Sequence, residues 1–573
     1  MAKIREIRVN PWERSSGGHI AMPTQARRAT SEPRANDQEM ASTSSLRLRR
    51  GAAQRHALAG VEREIRSNDR NGQRKYLKDF TQAYRSYESV LHADELGDLL
   101  LAGDIVLIGD YHALPASQRF AASLFEQRAH AGDRPVVLGV ETIFARDQHI
   151  LDEWWRREIN EDELRQRIRF DLDWSYEWAP FYELLVTARE HAYAIYGLDC
   201  MPRNDLRKIA ARDRHAAHKI AEIRQRHPSA AIMVLFGEAH LAPGHLPRLL
   251  RQKFPQEQLL TILQNVDALY WQAAGEQHEH VQAVRVAEDV ACVFNATPLE
   301  KYESYRVQLG RWGQAESEAP DLGPTIYNLI DSLLRFLDID RYSPRNGRQP
   351  KFLVDLLPEV YCGASDAGLR RQLLRRGATE EQISAMLGQV EERGSVYVPQ
   401  VNAFYVRELQ MMYAGEEAAR FLHHACRGLP LQGNGRGSTA EFADRFYSRS
   451  LEHAVAYFGS RVLYPARPAV RLEDAEFSRT TCQRLLQRAK RAQECEFDAI
   501  AQQLGYMIGS AAYDEYLAGG LVPAALKHVL LSRLEEPGAA KKLCIQLAAR
   551  VRGRKKPPLS VGRSGAPNSA LLA

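Results

Sequence analysis

Two strand-length apolar runs that stop in the same way constrain this chain most. Ile105-Val-Leu-Ile-Gly-Asp-Tyr-His112 ends in a glycine, a carboxylate and an imidazole, and Ile232-Met-Val-Leu-Phe-Gly-Glu-Ala-His240 repeats that ending. Apolar runs of this length bounded by glycine read as parallel strands buried on both faces. Between them, Val136-Val-Leu-Gly-Val-Glu141 and Ala194-Ile-Tyr-Gly-Leu-Asp199 also end in carboxylates. In open α/β sheets, ligands bind just beyond the carboxyl ends of such strands. If the four strands share one sheet, Asp110, His112, Glu141, Asp199, Glu238 and His240 lie along one edge.

The rest of the chain fits around that sheet. Residues 1–56 show little periodicity and are expected to be a disordered basic tail, followed by a helical lead-in at 57–99. Residues 100–310 alternate strand and helix, which predicts a mostly parallel sheet with helices on both faces. The predicted helices include 114–130, 147–155, 161–168, 181–191, a basic one at 204–226, and 246–253. Further strands are expected at 259–263, 268–271 and 290–294. A polar linker at 311–324 leads to residues 325–550, whose periodicity is helical throughout, with long helices expected at 401–426 and 441–458. An all-α C-terminal domain is the result, with a basic tail at 551–573. Capping-box starts occur at Thr379-Glu-Glu-Gln382 and Ser438-Thr-Ala-Glu441.

Charge narrows the function. The 573 residues carry a formal net charge of +5, with eleven Lys/Arg against five Asp/Glu in residues 1–56 and six Lys/Arg without acids in 550–573. The body between them is therefore mildly acidic, which is not the footprint of a nucleic-acid-binding domain. Seven scattered cysteines without a CxxC pair suit a reducing compartment. No apolar run reaches the ~18 residues of a membrane span. The start of the chain shows no apolar signal segment. A cytoplasmic location is expected.

The strand ends carry the chemistry. Carboxylate oxygen and imidazole nitrogen are the donors that hard and borderline divalent metals take. Asp110, His112, Glu141, Glu238 and His240 would supply two imidazoles and three carboxylates, enough for a site with positions open to water. Tyr111 is either a lining aromatic or, as tyrosinate, a haem ligand. His245 lies at a turn before a helix. In the helical region, Glu416, Glu417, His423 and His424 read as a solvated face with a packed histidine rather than a metal site. Gly433-Asn-Gly-Arg-Gly437 lacks the strand context and the Lys-Ser/Thr ending of a phosphate loop.

Taken together, Gly109-Asp-Tyr-His112, Gly139-Val-Glu-Thr-Ile-Phe144 with Asp147-Gln-His-Ile-Leu151, Trp174-Ser-Tyr-Glu-Trp178 with Tyr182, Gly197-Leu-Asp-Cys-Met-Pro202 and Gly237-Glu-Ala-His240 resemble the ChaN-like haem-binding domain of the Tiki superfamily. The resemblance covers about residues 100–310. It implies a haem or iron ligand held with Tyr111, His112 and His240. It also implies an alternative, a hydrolase of the Tiki or erythromycin-esterase kind. That enzyme would use a divalent ion of the manganese, cobalt or zinc class, with Asp110, His112, Glu141, Glu238 and His240 around the ion and Glu141 and Glu238 as catalytic carboxylates. The first motif departs from the family by having Asp110 where glutamate is usual. The expected partner is haem or another small molecule, with no specific nucleic acid and no membrane span. A homodimer is left open, and no partner of the helical domain is named.

Overall fold

A computed structural model describes residues 35–551 of the chain, apart from 69–74, 133, 204–208, 278–279, 314–319, 342–355, 364–365, 376, 428–441, 471–478, 493, 533 and 535. The chain divides into two compact units. One comprises Met1–Ala41 with Glu62–Gly313, and the other Ser42–Val61 with Gln314–Ala573. The glycine-rich segment at 433–437 and the start at 438–441 fall outside the described residues, as do 1–34 and 552–573.

The first unit is built on an eight-stranded sheet. Its strands are β1 (Ser89–Leu91), β2 (Ile105–Asp110), β3 (Val136–Phe144), β4 (Ala194–Asp199), β5 (Ala231–Gly237), β6 (Leu259–Gln264), β7 (Ala283–Ala287) and β8 (Val290–Val293). They lie in the order β1-β7-β8-β6-β2-β5-β3-β4. From β8 to β4 the pairing is parallel, and β7 and β1 close the far edge antiparallel. Side chains alternate across a strand, so each apolar run serves two cores. Val106 and Ile108 of β2 and Met233 and Leu235 of β5 join the core that holds Phe125, Trp154 and Phe181. Ile105 and Leu107, with Ile232, Val234 and Phe236, join the opposite one, which holds Ile220, Leu250 and Leu269. This two-faced burial is why the runs are continuously apolar.

Several elements differ from expectation. Residues 268–271 belong to a helix, Asp267–Glu276, not a strand. Its Leu269, Tyr270 and Ala273 are buried, a spacing of three to four that a four-residue window reads equally well as a strand. Strand β3 runs on past Gly139 to Phe144, so Glu141 lies within it, where the pairing with β4 shifts register. A helix spans Ala35–Asn68, across the boundary drawn at 56. Ala53 and Ala57 on it are fully buried, and small residues give the sequence pattern little apolar contrast.

The second unit is helical, as expected, with Gly323–Phe336, Met411–Ala425, Phe442–Leu463 and Glu494–Ala518 among its longer helices. It also contains a three-stranded sheet of β9 (Glu359–Cys362), β10 (Ser395–Val398) and β11 (Ala403–Val406). The helix expected over 401–426 therefore starts at Met411, because Ala403–Val406 pairs with two strands. Thr379 caps its helix by accepting from the Gln382 N–H, as its capping box predicts. Glu416 and Glu417 are buried rather than solvated, and Arg420 sits among them and Glu452. Among the described residues no helix is long and apolar enough to cross a membrane.

Candidate functional site at the carboxyl edge of the sheet

Strands β2 and β5 are direct neighbours, so their two Gly-acid-x-His endings meet. They are not in register as copies, because Gly109 lies opposite Phe236 and Asp110 opposite Gly237. This one-residue offset gives the two endings different partners. His112 leaves β2 in a loop, and its Nδ1 is 2.7 Å from Asp110 Oδ2. The other Asp110 oxygen accepts from Gln118. His240 sits in a short 3-10 turn, Glu238–Leu241, and its Nδ1 is 2.5 Å from Asp213 Oδ1 rather than from its own motif's acid.

Both imidazoles thus have Nδ1 on a carboxylate, which leaves Nε2 as the basic nitrogen. Both Nε2 atoms face Glu141. His112 Nε2 is 3.9 Å from one oxygen, and His240 Nε2 is 3.8 Å from the other. Gly237 makes this approach feasible. A Cβ there would stand 3.0 Å from Glu141 Oε2 and 3.1 Å from His112 Nε2, and its N–H donates to Glu141 Oε2 at 2.5 Å.

Arginines lock the cluster from below. Arg212, on helix Ile209–Arg226, donates to Glu141 Oε1 and to both oxygens of Asp199. Arg203 donates to Asp199 at 2.5 Å and to the backbone oxygens of Glu141 and Thr142, with its guanidinium 3.9 Å from the Phe144 ring centre and 4.4 Å from that of Trp174. Burial opposes ionisation of Glu141, but the Arg212 guanidinium, the two imidazoles and the Gly237 N–H together outweigh it and hold the carboxyl at about 2. Asp213 lies below the usual range too, because its bonds to His240, His245 and Tyr76 together overcome burial. For His112, burial pulls the imidazole down and the Asp110 carboxylate more than reverses it, so its pKa is raised.

The remaining expected residues stand to one side. Both oxygens of Glu238 are on Lys301, at 3.2 and 3.3 Å, and burial nonetheless pushes its carboxyl up. Lys301 Nζ lies 4.6 Å from the centre of the Tyr111 ring. Tyr111 is buried, its hydroxyl has no hydrogen-bond partner among the described residues, and burial raises its pKa well above 10. His245 packs 3.8 Å from the Tyr76 ring, and its Nε2 reaches Asp79 at 3.1 Å. Tyr76 in turn donates to Asp213 at 2.8 Å.

Aromatic rings flank His112. Trp174 is 4.5 Å away and Tyr176 5.3 Å away by ring centres, and Trp312 lies 5.4 Å from Tyr176. The Trp174 Nε1 is likewise a buried donor without a partner among the described residues. His112 keeps 14% of its side chain exposed, against 7% for His240 and 4% for Glu141. Of these three, His112 is the one most open to the outside.

Arg203, Arg212, Asp213, Lys301 and Tyr76 belong to the cluster but carry no sequence motif. Arg212 and Asp213 sit in the helix expected to be basic, and both are buried. An adjacent Arg-Asp pair inside a helix that must pack on the sheet was the one available signal.

Residues 98–228 match the family model described as haem-binding uptake, Tiki superfamily, ChaN, which bears out the resemblance over that stretch. His240 and Glu238 lie beyond it. Among solved structures, one described as cofacial haem binding to ChaN of Campylobacter jejuni aligns over 32% of this chain and 93% of its own. The identity is 13% and the TM-score 0.24, an overlap too loose for any argument to rest on. No curated protein matches the chain.

Proposed function

We propose that the α/β unit, a ChaN-like domain, binds haem or a related iron ligand at the carboxyl edge of its sheet, and that His112 is the residue that meets the iron. The observation that carries this is the surroundings of His112. Its Nδ1 is held by Asp110, it is more exposed than His240 or Glu141, and Trp174 and Tyr176 flank it. An imidazole whose second nitrogen is fixed by a carboxylate is a strong iron ligand. Flat aromatic rings offer a porphyrin apolar area, and the unpartnered Tyr111 hydroxyl and Trp174 Nε1 offer donors to a polar ligand group. When bound, the iron supplies Lewis acidity and redox chemistry. The chain's part is to present the nitrogen and exclude water. Tyr111 is the weaker ligand candidate, since burial keeps its phenol protonated.

A second reading, metal-dependent hydrolysis, draws support from the two Nε2 atoms at 3.8 and 3.9 Å from the oxygens of Glu141. Two features count against it. Arg212 and the Gly237 N–H already occupy both Glu141 oxygens, and Lys301 occupies Glu238. Glu141, held ionised, serves better as counter-charge to the imidazoles than as a base.

Haemin titration of the full chain, followed by its absorption band, separates the readings. Binding should be stoichiometric, lost in His112→Ala, and retained in Glu141→Gln and Tyr111→Phe. A haemin-indifferent protein that instead takes up manganese, cobalt or zinc in a Glu141-dependent way would replace this reading with the second.

A further inference from the structure

A separate group of donors lies at the other end of β3 and β4. Helix Pro115–Ala131 leads into β3, and helix Trp178–His191 leads into β4. Their last turns therefore meet at the amino edge of the sheet, opposite the site described above. His130 and Glu126 come from the first helix and His191 from the second. One ligand atom from each falls within 4.8 Å of the other two, and His191 Nε2 is 4.0 Å from Glu126 Oε1. The two imidazole rings have centres 4.6 Å apart.

We infer that Glu126, His130 and His191 form a surface site for a borderline divalent transition metal, which clamps the ends of the two helices together. Three observations support it independently. First, His130 Nδ1 lies 2.9 Å from the Glu126 carbonyl oxygen. A carbonyl can only accept, so Nδ1 carries the hydrogen and the Nε2 lone pair is available; this is the tautomer a ligating histidine needs. Second, both imidazoles stand in the final turns of helices, where the carbonyl ends of two helix dipoles favour a cation. Third, two nitrogens and one carboxylate oxygen are the donor set of zinc, cobalt or nickel, not of calcium or magnesium.

Tetrahedral coordination at ~2.0–2.1 Å puts ligand atoms roughly 3.3–3.5 Å apart. Glu126 and His130 are exposed and His191 half-buried, so modest side-chain rotation closes the remaining gap. Three protein ligands leave one position to water. With β3 and β4 paired in parallel directly behind it, the site would stiffen the scaffold without touching the Glu141 cluster.

The test uses the full chain, stripped with a chelator and titrated with Co2+ and then Zn2+. One equivalent should bind with a visible cobalt spectrum of tetrahedral or five-coordinate type, and zinc should displace it and raise the melting temperature. This equivalent should be lost in His130→Gln/His191→Gln and weakened in Glu126→Gln. It should persist in His112→Gln/His240→Gln, which separates it from metal at the strand ends. Binding that vanishes with His112 and His240, or that survives loss of His130 and His191, overturns the inference. So does no stoichiometric binding by a protein whose folding is unchanged by circular dichroism.

Discussion

At the residue scale, the two imidazoles are held by acids that come from different places. Asp110 raises the pKa of His112 against the pull of burial. Because the folded value lies above the ordinary one of about 6.5, this pair stabilises the fold fully below that pH and loses its contribution as pH rises through the folded pKa. Iron ligation runs the other way, since a protonated imidazole cannot ligate. Haemin affinity should therefore rise with pH through a midpoint above 6.5. In Asp110→Asn the midpoint should move down, because burial then faces only the more distant Glu141. Titrating the His112 ring protons by NMR, alongside haemin binding across pH, checks both shifts. A midpoint untouched by the substitution would remove Asp110 from the role given to it. The pairing of Asp110 with His112 was legible in the sequence, being two residues apart on one strand end. The pairing of His240 with Asp213 was not. It crosses 27 positions from a helix that carries no motif, and only packing of that helix on the sheet brings the two together.

At the element scale, the internal echo does place its two endings side by side, but not as copies in register. Adjacent parallel strands carry the two endings, yet the offset that sets Asp110 opposite Gly237 means the second acid, Glu238, turns to Lys301 instead of to His240. A strand's sequence does not encode the register it takes with a neighbour more than a hundred residues away. Gly237 is where the elements are tightest. A methyl added there meets Glu141 Oε2 at 3.0 Å and two atoms of the His112 ring at 3.1 and 3.2 Å. Gly237→Ala should cost about 1–3 kcal/mol of stability, as overpacking of buried sites does, and should weaken ligand binding more than that alone predicts by displacing the imidazole. Gly244→Ala is the control, since a Cβ there meets nothing within 4 Å. Thermal melts and haemin titration of the pair provide the comparison, and equal behaviour of the two variants would contradict the crowding argument. The α/β alternation itself was readable because buried parallel strands need unbroken apolar runs. The three short strands of the second unit were not. Each is four residues long, too brief for a period of two to stand out beside the helices that follow.

At the scale of the whole molecule, the division into units does not follow the chain. Residues 42–61 belong with 314–573, although the α/β unit intervenes in sequence. The stretch carries buried side chains, with Leu58 at 7% and Val61 at 2% exposure and Ala53 and Ala57 fully buried. Polar ties accompany it. Asn328 donates to the Ala57 carbonyl at 3.0 Å, and Tyr516 donates to that of Arg49 at 2.8 Å. Burying a Leu and a Val contributes roughly 3–6 kcal/mol, a large share of the ~5–15 kcal/mol that holds a typical domain. We therefore expect residues 314–551, made alone, to melt low and broadly. A synthetic peptide of residues 42–61 should raise and sharpen that melt in proportion to its concentration, because it binds the folded state only. A peptide carrying Leu58→Ala and Val61→Ala should do so far less. If the fragment melts high and cooperatively alone, and no peptide changes it, the N-terminal helix is an ornament of the second unit and not part of its core.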